Sequence, residues 1–297
     1  MKNPPRYISQ LLALVLGGIG VAFVLLGALF TWMDLPVQGG GGWSFSAMGL
    51  VLLVGAGLCL VWYGRRKALC RRLREKGILF CPASGRQYSS LRRLFAPVAD
   101  ELTYLCENGA VVYGPGNPGP IWGKTIMARP RALALCREIL AMPRCEVLIS
   151  GANTSYLCPK KQDIVDHIRY FVGNNVAVVP EPEAIEEDIL KVSAYCRDGA
   201  RQVEPRMAPR WGAEFRCAVA GEKWLDFTLA DKGTGLRCLC GALGVDLAEV
   251  AAFGDNDNDL PMLALAGTPY IMDGAAPALR RRFSHSCSRV EDVLRTL

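Results

Sequence analysis

The sequence predicts an α/β fold, a mainly parallel-sheet core interrupted by an inserted α+β domain and preceded by two transmembrane helices. Three observations predict it. Apolar runs of strand length alternate with helical patterns at both ends of the chain's polar part, the order a parallel sheet requires. Between those ends the pattern changes to turns and antiparallel strand material. Ahead of them lie two long apolar runs without charge.

The run at residues 7–32 has Gln10 as its one strongly polar side chain, and the run at 43–63 carries no charge. Each is long enough to cross the roughly 30 Å hydrocarbon core as a helix. They raise the hydrophobic share to 51% and the mean hydropathy to +0.19, high for a purely soluble chain. The alternatives are a cleaved signal peptide for the first run and a buried core helix for the second. The first run exceeds a signal h-region, and residues 40–46 offer no A-x-A-type cleavage site.

Lys2 and Arg6 precede the first run, while Arg65, Arg66, Lys67, Arg71, Arg72, Arg74 and Lys76 follow the second. The connector, residues 33–42, carries only Asp34. Positive charge on both outer flanks places the N-terminus and the soluble domain in the cytoplasm, with a two-helix hairpin in the plasma membrane. The basic run could also hold anionic lipid headgroups, but topology accounts for it. That run supplies part of the formal charge of +6, so no nucleic-acid partner is expected. Gly17, Gly18, Gly20, Gly55 and Gly57 suit close helix packing within the hairpin or between copies, which leaves the oligomeric state open.

After the hairpin, "RRKALCRRLREKG" has helical spacing with Ala68, Leu69 and Leu73 on one side and Gly77 as a stop. "ILFCPA" reads as a short strand and "SGRQY" as a turn into the next helix. Near the C-terminus the order recurs. "KGTGLRCLCGALGV" is a helix ending at Gly244, "EVAAF" a buried strand, "GDNDND" a loop, "LPMLALAG" a helix and "PYIM" a strand. Within the insertion, "EVLISGANTSYLC" and "FRCAVAGEKWLDF" read as antiparallel strands, and "PKKQDIVDHIRYFVG" and "EAIEEDILKVSAYC" as amphipathic helices. The expected division is 1–66 hairpin, 67–113 with 226–297 core, and 114–225 inserted domain.

The twelve cysteines are scattered from Cys59 to Cys287, without the spacing of a disulfide framework. The C-x-C pair Cys238 and Cys240 has no second pair or nearby histidine to complete a zinc site. All read as small buried hydrophobes. "GPGNPGPIWGKT" lacks the four-residue spacing of a phosphate-cradling loop and reads as a turn. His167 reads as a helix-surface residue, and His285 is equally isolated.

In open α/β sheets, ligands bind at the carboxyl ends of strands. Ser84 follows "ILFCPA" and offers a hydroxyl to an anion. Lys232 begins a helix, where its ammonium and the helix N-terminus can face one phosphate. Asp255 and Asp259 follow "EVAAF" and suit a hard cation, Mg²⁺ above all, because it accepts few carboxylates while keeping waters and substrate phosphate. Taken singly, each has a plainer reading: a turn at Ser84, a solvated charge at Lys232, a helix cap at the aspartates. Their joint order favours a phosphate and magnesium site.

"ASGRQY", "ENGAVVY", "DKGTGLRCLCGALGV" and "AFGDNDNDLPML", in this order, resemble the later motif regions of the haloacid dehalogenase superfamily. The resemblance runs from about residue 67 to 297 and is strongest to the Cof-type branch, subfamily IIB. It implies a Rossmann-like core with an α+β cap and an Mg²⁺-dependent phosphohydrolase of small phosphorylated metabolites. It implies that Ser84 and Lys232 contact the transferring phosphoryl group, with Gly85, Arg86 and Asn108 lining the phosphate site. It implies that Asp255 binds Mg²⁺, with Asn258 and Asp259 completing or supporting that site.

The resemblance also carries a departure. The family's first motif, D-x-D-G-T, supplies a nucleophile and an acid/base. Its place is taken by "MGLVLLVGAGLCLVWYGRRKALC", which has no acidic residue, and Asp34 has no partner two residues on. The expectation is a membrane-anchored, phosphatase-like protein with impaired turnover that senses a ligand or binds a partner. Competing readings are an active phosphatase with another nucleophile and an N-terminus reshaped by gene fusion or rearrangement.

Overall fold

The computed structural model describes residues 68–96 and 98–297. The expected hairpin lies outside the described residues, and among these no helix is long and apolar enough to cross a membrane. The chain divides into two units, one holding 68–78 and 93–98 among the described residues, the other 79–92 and 99–297. In the first, residues 68–75 form the expected helix, with Leu73 buried and Gly77 in the left-handed region after it. The Ile78 N–H returns to the Leu73 carbonyl at 2.8 Å and closes the turn.

The second unit contains three sheets. β1 (Tyr104–Cys106), β2 (Val111–Tyr113) and β3 (Ile121–Lys124) form an antiparallel sheet. β10 (Ala251–Gly254), β11 (Thr268–Met272) and β12 (His285–Cys287) form a parallel one. The helix Lys232–Leu243 packs on β1, β2 and β3. Its Leu236, Leu239 and Cys240 share one apolar cluster with Leu105, Val112, Ala252 and Ile271, so a single core serves both sheets. That helix ends where the sequence places its stop, at Gly244 with φ 67°.

The segment that reads as "ILFCPA" pairs with β1 through a single parallel bridge, Ala83 to Leu105. Leu105 N–H donates to the Pro82 carbonyl at 3.0 Å, and Ser84 N–H to the Leu105 carbonyl at 2.9 Å. Parallel pairing alternates along a strand, so Ala83's own N–H and carbonyl point to the opposite edge. β10 has the same property. Thr268 N–H donates to the Val250 carbonyl at 3.0 Å, which turns Ala252 toward β11 and Ala251 and Phe253 away from it. Neither outer edge has a strand partner among the described residues. Ala251 is accordingly exposed and Phe253 half-buried, where the sequence suggests a buried strand.

The inserted domain is a six-stranded sheet, in the order β6 (Val176–Val178), β5 (Ser155–Leu157), β4 (Cys145–Ser150), β7 (Lys191–Cys196), β9 (Trp224–Thr228) and β8 (Arg216–Ala220). β4 with β5 and β8 with β9 are antiparallel pairs, as their patterns suggest. All of β9 belongs to this sheet, whereas β3 belongs to the core. Residues 183–196 are not a helix. After a single 3-10 turn at Pro182–Ala184, the alternation K-V-S-A-Y-C forms the strand β7, paired with β4 and β9. Two flanking strands and an alternation of polar with apolar side chains outweigh a helical spacing that had no cap to support it.

Val192 and Ala194 join Leu225, Phe227, Val147 and Ile149 beneath the helices Arg129–Ala141 and Ala200–Trp211. Burying each of the valine, leucine, isoleucine and phenylalanine side chains stabilises the domain by about 1.5–3 kcal/mol. The other face of β7 and β9 presents Lys191, Ser193 and Asp226, all buried. The cysteines among the described residues are free, and Cys238 and Cys240 lie in the Lys232–Leu243 helix.

Candidate active site

Two pairs of loops build the site. The turn after Ala83 is held by Arg86 N–H donating to Ser84 Oγ at 3.2 Å. It is joined to the loop after β1 by Glu107 N–H to the Arg86 carbonyl and Asn108 N–H to the Ser84 carbonyl, each 3.1 Å. Glu107, Asn108 and Gly109 all have positive φ, 51°, 57° and 95°. Asparagine tolerates this region, glutamate less so. A Cβ on Gly109 would stand 2.1 Å from the Asp231 carbonyl oxygen, and one on Gly235 would stand 2.7 Å from Gly109 Cα. Glycine at both positions lets the start of the Lys232–Leu243 helix meet this loop.

That helix is capped by Asp231, whose Oδ1 accepts from Thr234 N–H at 2.7 Å and whose Oδ2 accepts from Arg216 at 2.6 Å. Lys232 follows, buried to 7% exposure, with its ammonium on Asp259 Oδ1. The other oxygen of Asp259 accepts the N–H groups of Asp255 at 2.9 Å and Asn256 at 3.1 Å. Asp259 therefore fixes Lys232 and the acidic loop together, and both its oxygens are already engaged.

Asp255 and Asn258 are exposed. Asp255 Oδ1 accepts from Asn256 Nδ2 at 2.8 Å, and Asn258 Nδ2 donates to Asn108 Oδ1 at 3.2 Å. Among the described residues no three histidine, cysteine, aspartate or glutamate side chains gather around a metal position. The donors fit a hard ion that keeps most of its water: a carboxylate oxygen of Asp255 and the carboxamide oxygen of Asn258. Asp259 would join them only by sharing the oxygen that holds Lys232.

The sequence-derived residues thus come together in part. Ser84, Gly85, Asn108 and Asn258 are linked through contacts, as are Lys232, Asp255 and Asp259. Gly85 fits because a Cβ there would meet Asn108 Oδ1 at 2.9 Å. Arg86 turns away, its exposed guanidinium donating to Ser90 Oγ at 3.3 Å. Sequence reasoning missed Glu107, Lys191 and Asp226, which meet behind the Ser84 turn, and Asp231. Only Asp231 carried a signal, an aspartate directly ahead of a helical pattern.

The structural likeness is broad. A solved structure from Eubacterium rectale superposes with a TM-score of 0.69 at 28% identity, covering 77% of this chain and 89% of that one. A subclass IIB sugar phosphatase of the haloacid dehalogenase superfamily superposes at 0.64 with 17% identity, covering 77% and 89%, which speaks for the fold alone. In sequence, 5-amino-6-(5-phospho-D-ribitylamino)uracil phosphatase YbjI of Escherichia coli is 26% identical over 73% of this chain and 81% of its own. HMP-PP phosphatase of Cronobacter sakazakii is 22% identical over 73% and 82%. The model of the haloacid dehalogenase-like hydrolase family matches residues 64–293, a span that takes in every loop of the site just described. By that match the chain belongs to the haloacid dehalogenase-like hydrolases.

Proposed function

We propose that the protein binds a small phosphorylated metabolite through its phosphate, together with Mg²⁺, and that ligand binding rather than turnover is its activity. Ser84 and the neighbouring backbone donate to phosphate oxygens, Lys232 and its helix N-terminus neutralise their charge, and Asp255 with Asn258 holds the ion. Mg²⁺ there would screen the phosphate's charge against Asp255. The observation that carries the reading is the Asn258 to Asn108 contact, which closes the acidic loop onto the loop that Asn108 N–H ties to the Ser84 carbonyl. Impaired turnover rests on the sequence: ahead of residue 68 the only acidic residue is Asp34. In this reading residues 1–66 hold the domain at the cytoplasmic face of the membrane, as their apolar runs and basic flanks suggest.

Titration calorimetry with inorganic phosphate tests the binding. Wild type should bind it more tightly with Mg²⁺ than without, and Asp255→Asn should remove that difference; equal affinity with and without Mg²⁺ would sink the metal assignment. A second reading, Mg²⁺-dependent hydrolysis with another nucleophile, is favoured by the relatives, which are named as phosphatases of phosphorylated small molecules.

A further inference from the structure

A buried ion cluster joins the inserted domain to the Ser84 turn. Lys191, on the central strand β7, lies with its ammonium 2.6 Å from Glu107 Oε2 and 3.4 Å from Asp226 Oδ2 on β9. It also donates to the Gly85 carbonyl at 3.4 Å. Asp226 Oδ1 accepts from the Ser193 hydroxyl at 2.7 Å, which anchors the cluster on the inserted sheet. Lys191 and Asp226 are 6% exposed and Glu107 1%. Burying three charges is costly, and as a source of stability a well-packed apolar cluster would serve as well.

What the cluster touches suggests another role. Glu107 and Asn108 sit in a left-handed turn that a side-chain-bearing residue adopts only when its surroundings hold it there. On one side the turn is fixed by its two backbone bonds to Ser84 and Arg86. On the other it is fixed by the Glu107 carboxylate on Lys191. Lys191 thus grips both halves of the paired loops, the Gly85 carbonyl and the Glu107 side chain, from a strand of the inserted domain.

We propose that Lys191 is a positioning residue: through Glu107 and Gly85 it holds the Ser84 turn and Asn108 in the arrangement that receives phosphate. This makes docking of the inserted domain a condition for a formed phosphate site. The inference rests on the phosphate-binding reading, but its geometric half stands on ligand-free protein.

The test uses Lys191→Met, Glu107→Gln and Lys191→Arg in the full chain. Arg197→Met serves as a control, because Arg197 binds the buried Glu146 at the far end of the same sheet and touches neither loop. Without ligand, amide exchange at Glu107 and Asn108 should quicken about ten-fold or more in Lys191→Met and Glu107→Gln while amides of β4 and β9 keep their protection. Inorganic phosphate with Mg²⁺ should then bind both variants about ten-fold or more weakly, Lys191→Arg within about three-fold of wild type, and Arg197→Met as wild type despite lower stability. Should Lys191→Met not fold, Glu107→Gln, which leaves Lys191 paired with Asp226, decides the matter. Unchanged exchange at Glu107 and Asn108 would overturn the proposal, as would equal loss of affinity in Arg197→Met. Should wild type bind no phosphate, the binding reading fails and the exchange result alone judges the positioning.

Discussion

Asn258 donates its carboxamide N–H to the carboxamide oxygen of Asn108 at 3.2 Å, across 150 positions of sequence. The contact ties the loop after β10 to the loop after β1, and it works because Asn108 occupies a left-handed conformation with φ 57° and ψ 31°. Asn108→Gly separates the side chain from the backbone, since glycine adopts this conformation freely. Its thermal midpoint should stay within a few degrees of wild type, equivalent to about 1 kcal/mol for the lost hydrogen bond. Its affinity for inorganic phosphate should nonetheless fall, read by calorimetry; unchanged affinity would remove Asn108 from the site.

The Lys191 cluster has a signature in pH. Burial pushes the Lys191 ammonium down, but Asp226 and Glu107 outweigh burial and raise it above the ordinary 10.5. A group held more tightly protonated in the folded state contributes stability that is fully present below the unfolded value and lost as pH climbs through the folded one. Urea midpoints of wild type minus Lys191→Met should therefore shrink as pH climbs above 10.5. At neutral pH the difference should correspond to roughly 3–5 kcal/mol, the usual cost of stranding buried charge. A difference that grows with alkalinity would contradict the assignment.

The edges of the split sheet should be visible in amide exchange. Ala251, Phe253 and Ala83 direct their N–H groups to edges without a strand partner among the described residues, while Ala252 and Gly254 face β11. Ala251 and Phe253 should exchange quickly and Ala252 and Gly254 slowly, measured residue by residue by NMR. Protection of Ala251 and Phe253 as strong as that of Ala252 would mean that a further strand lies against β10.

How much of this was legible in the sequence varies with the physics involved. The Lys232–Leu243 helix was legible because its apolar stripe and its stop at Gly244 act locally, although the capping Asp231 was missed. The acidic loop was legible because carboxylates crowd visibly. Strand β7 was not: residues 183–196 carry enough helical spacing to mislead, and its identity comes from the distant strands β4 and β9. Nor was the engagement of Asp259 by Lys232, which depends on two loops meeting in space. The Lys191–Glu107 pairing, made across the inserted domain, had no local trace at all.

The cysteines should behave as packing groups. Burial pushes the Cys81, Cys158 and Cys217 thiols up to about 11, so little thiolate exists at pH 8. Iodoacetamide under native conditions should label these three slowly, and denaturation should make them label at the rate of a free peptide cysteine, both read by mass spectrometry. Rapid native labelling of Cys158 would show a lowered thiol and a chemistry this account does not give it.

Phosphorus-31 NMR of a small sugar phosphate mixed with the protein and Mg²⁺ reads binding and hydrolysis in one sample. A broadened or shifted ester signal that recovers in Asp255→Asn is expected, with no inorganic phosphate accumulating. A growing inorganic phosphate signal that requires Mg²⁺ and vanishes in Asp255→Asn would contradict it and establish turnover.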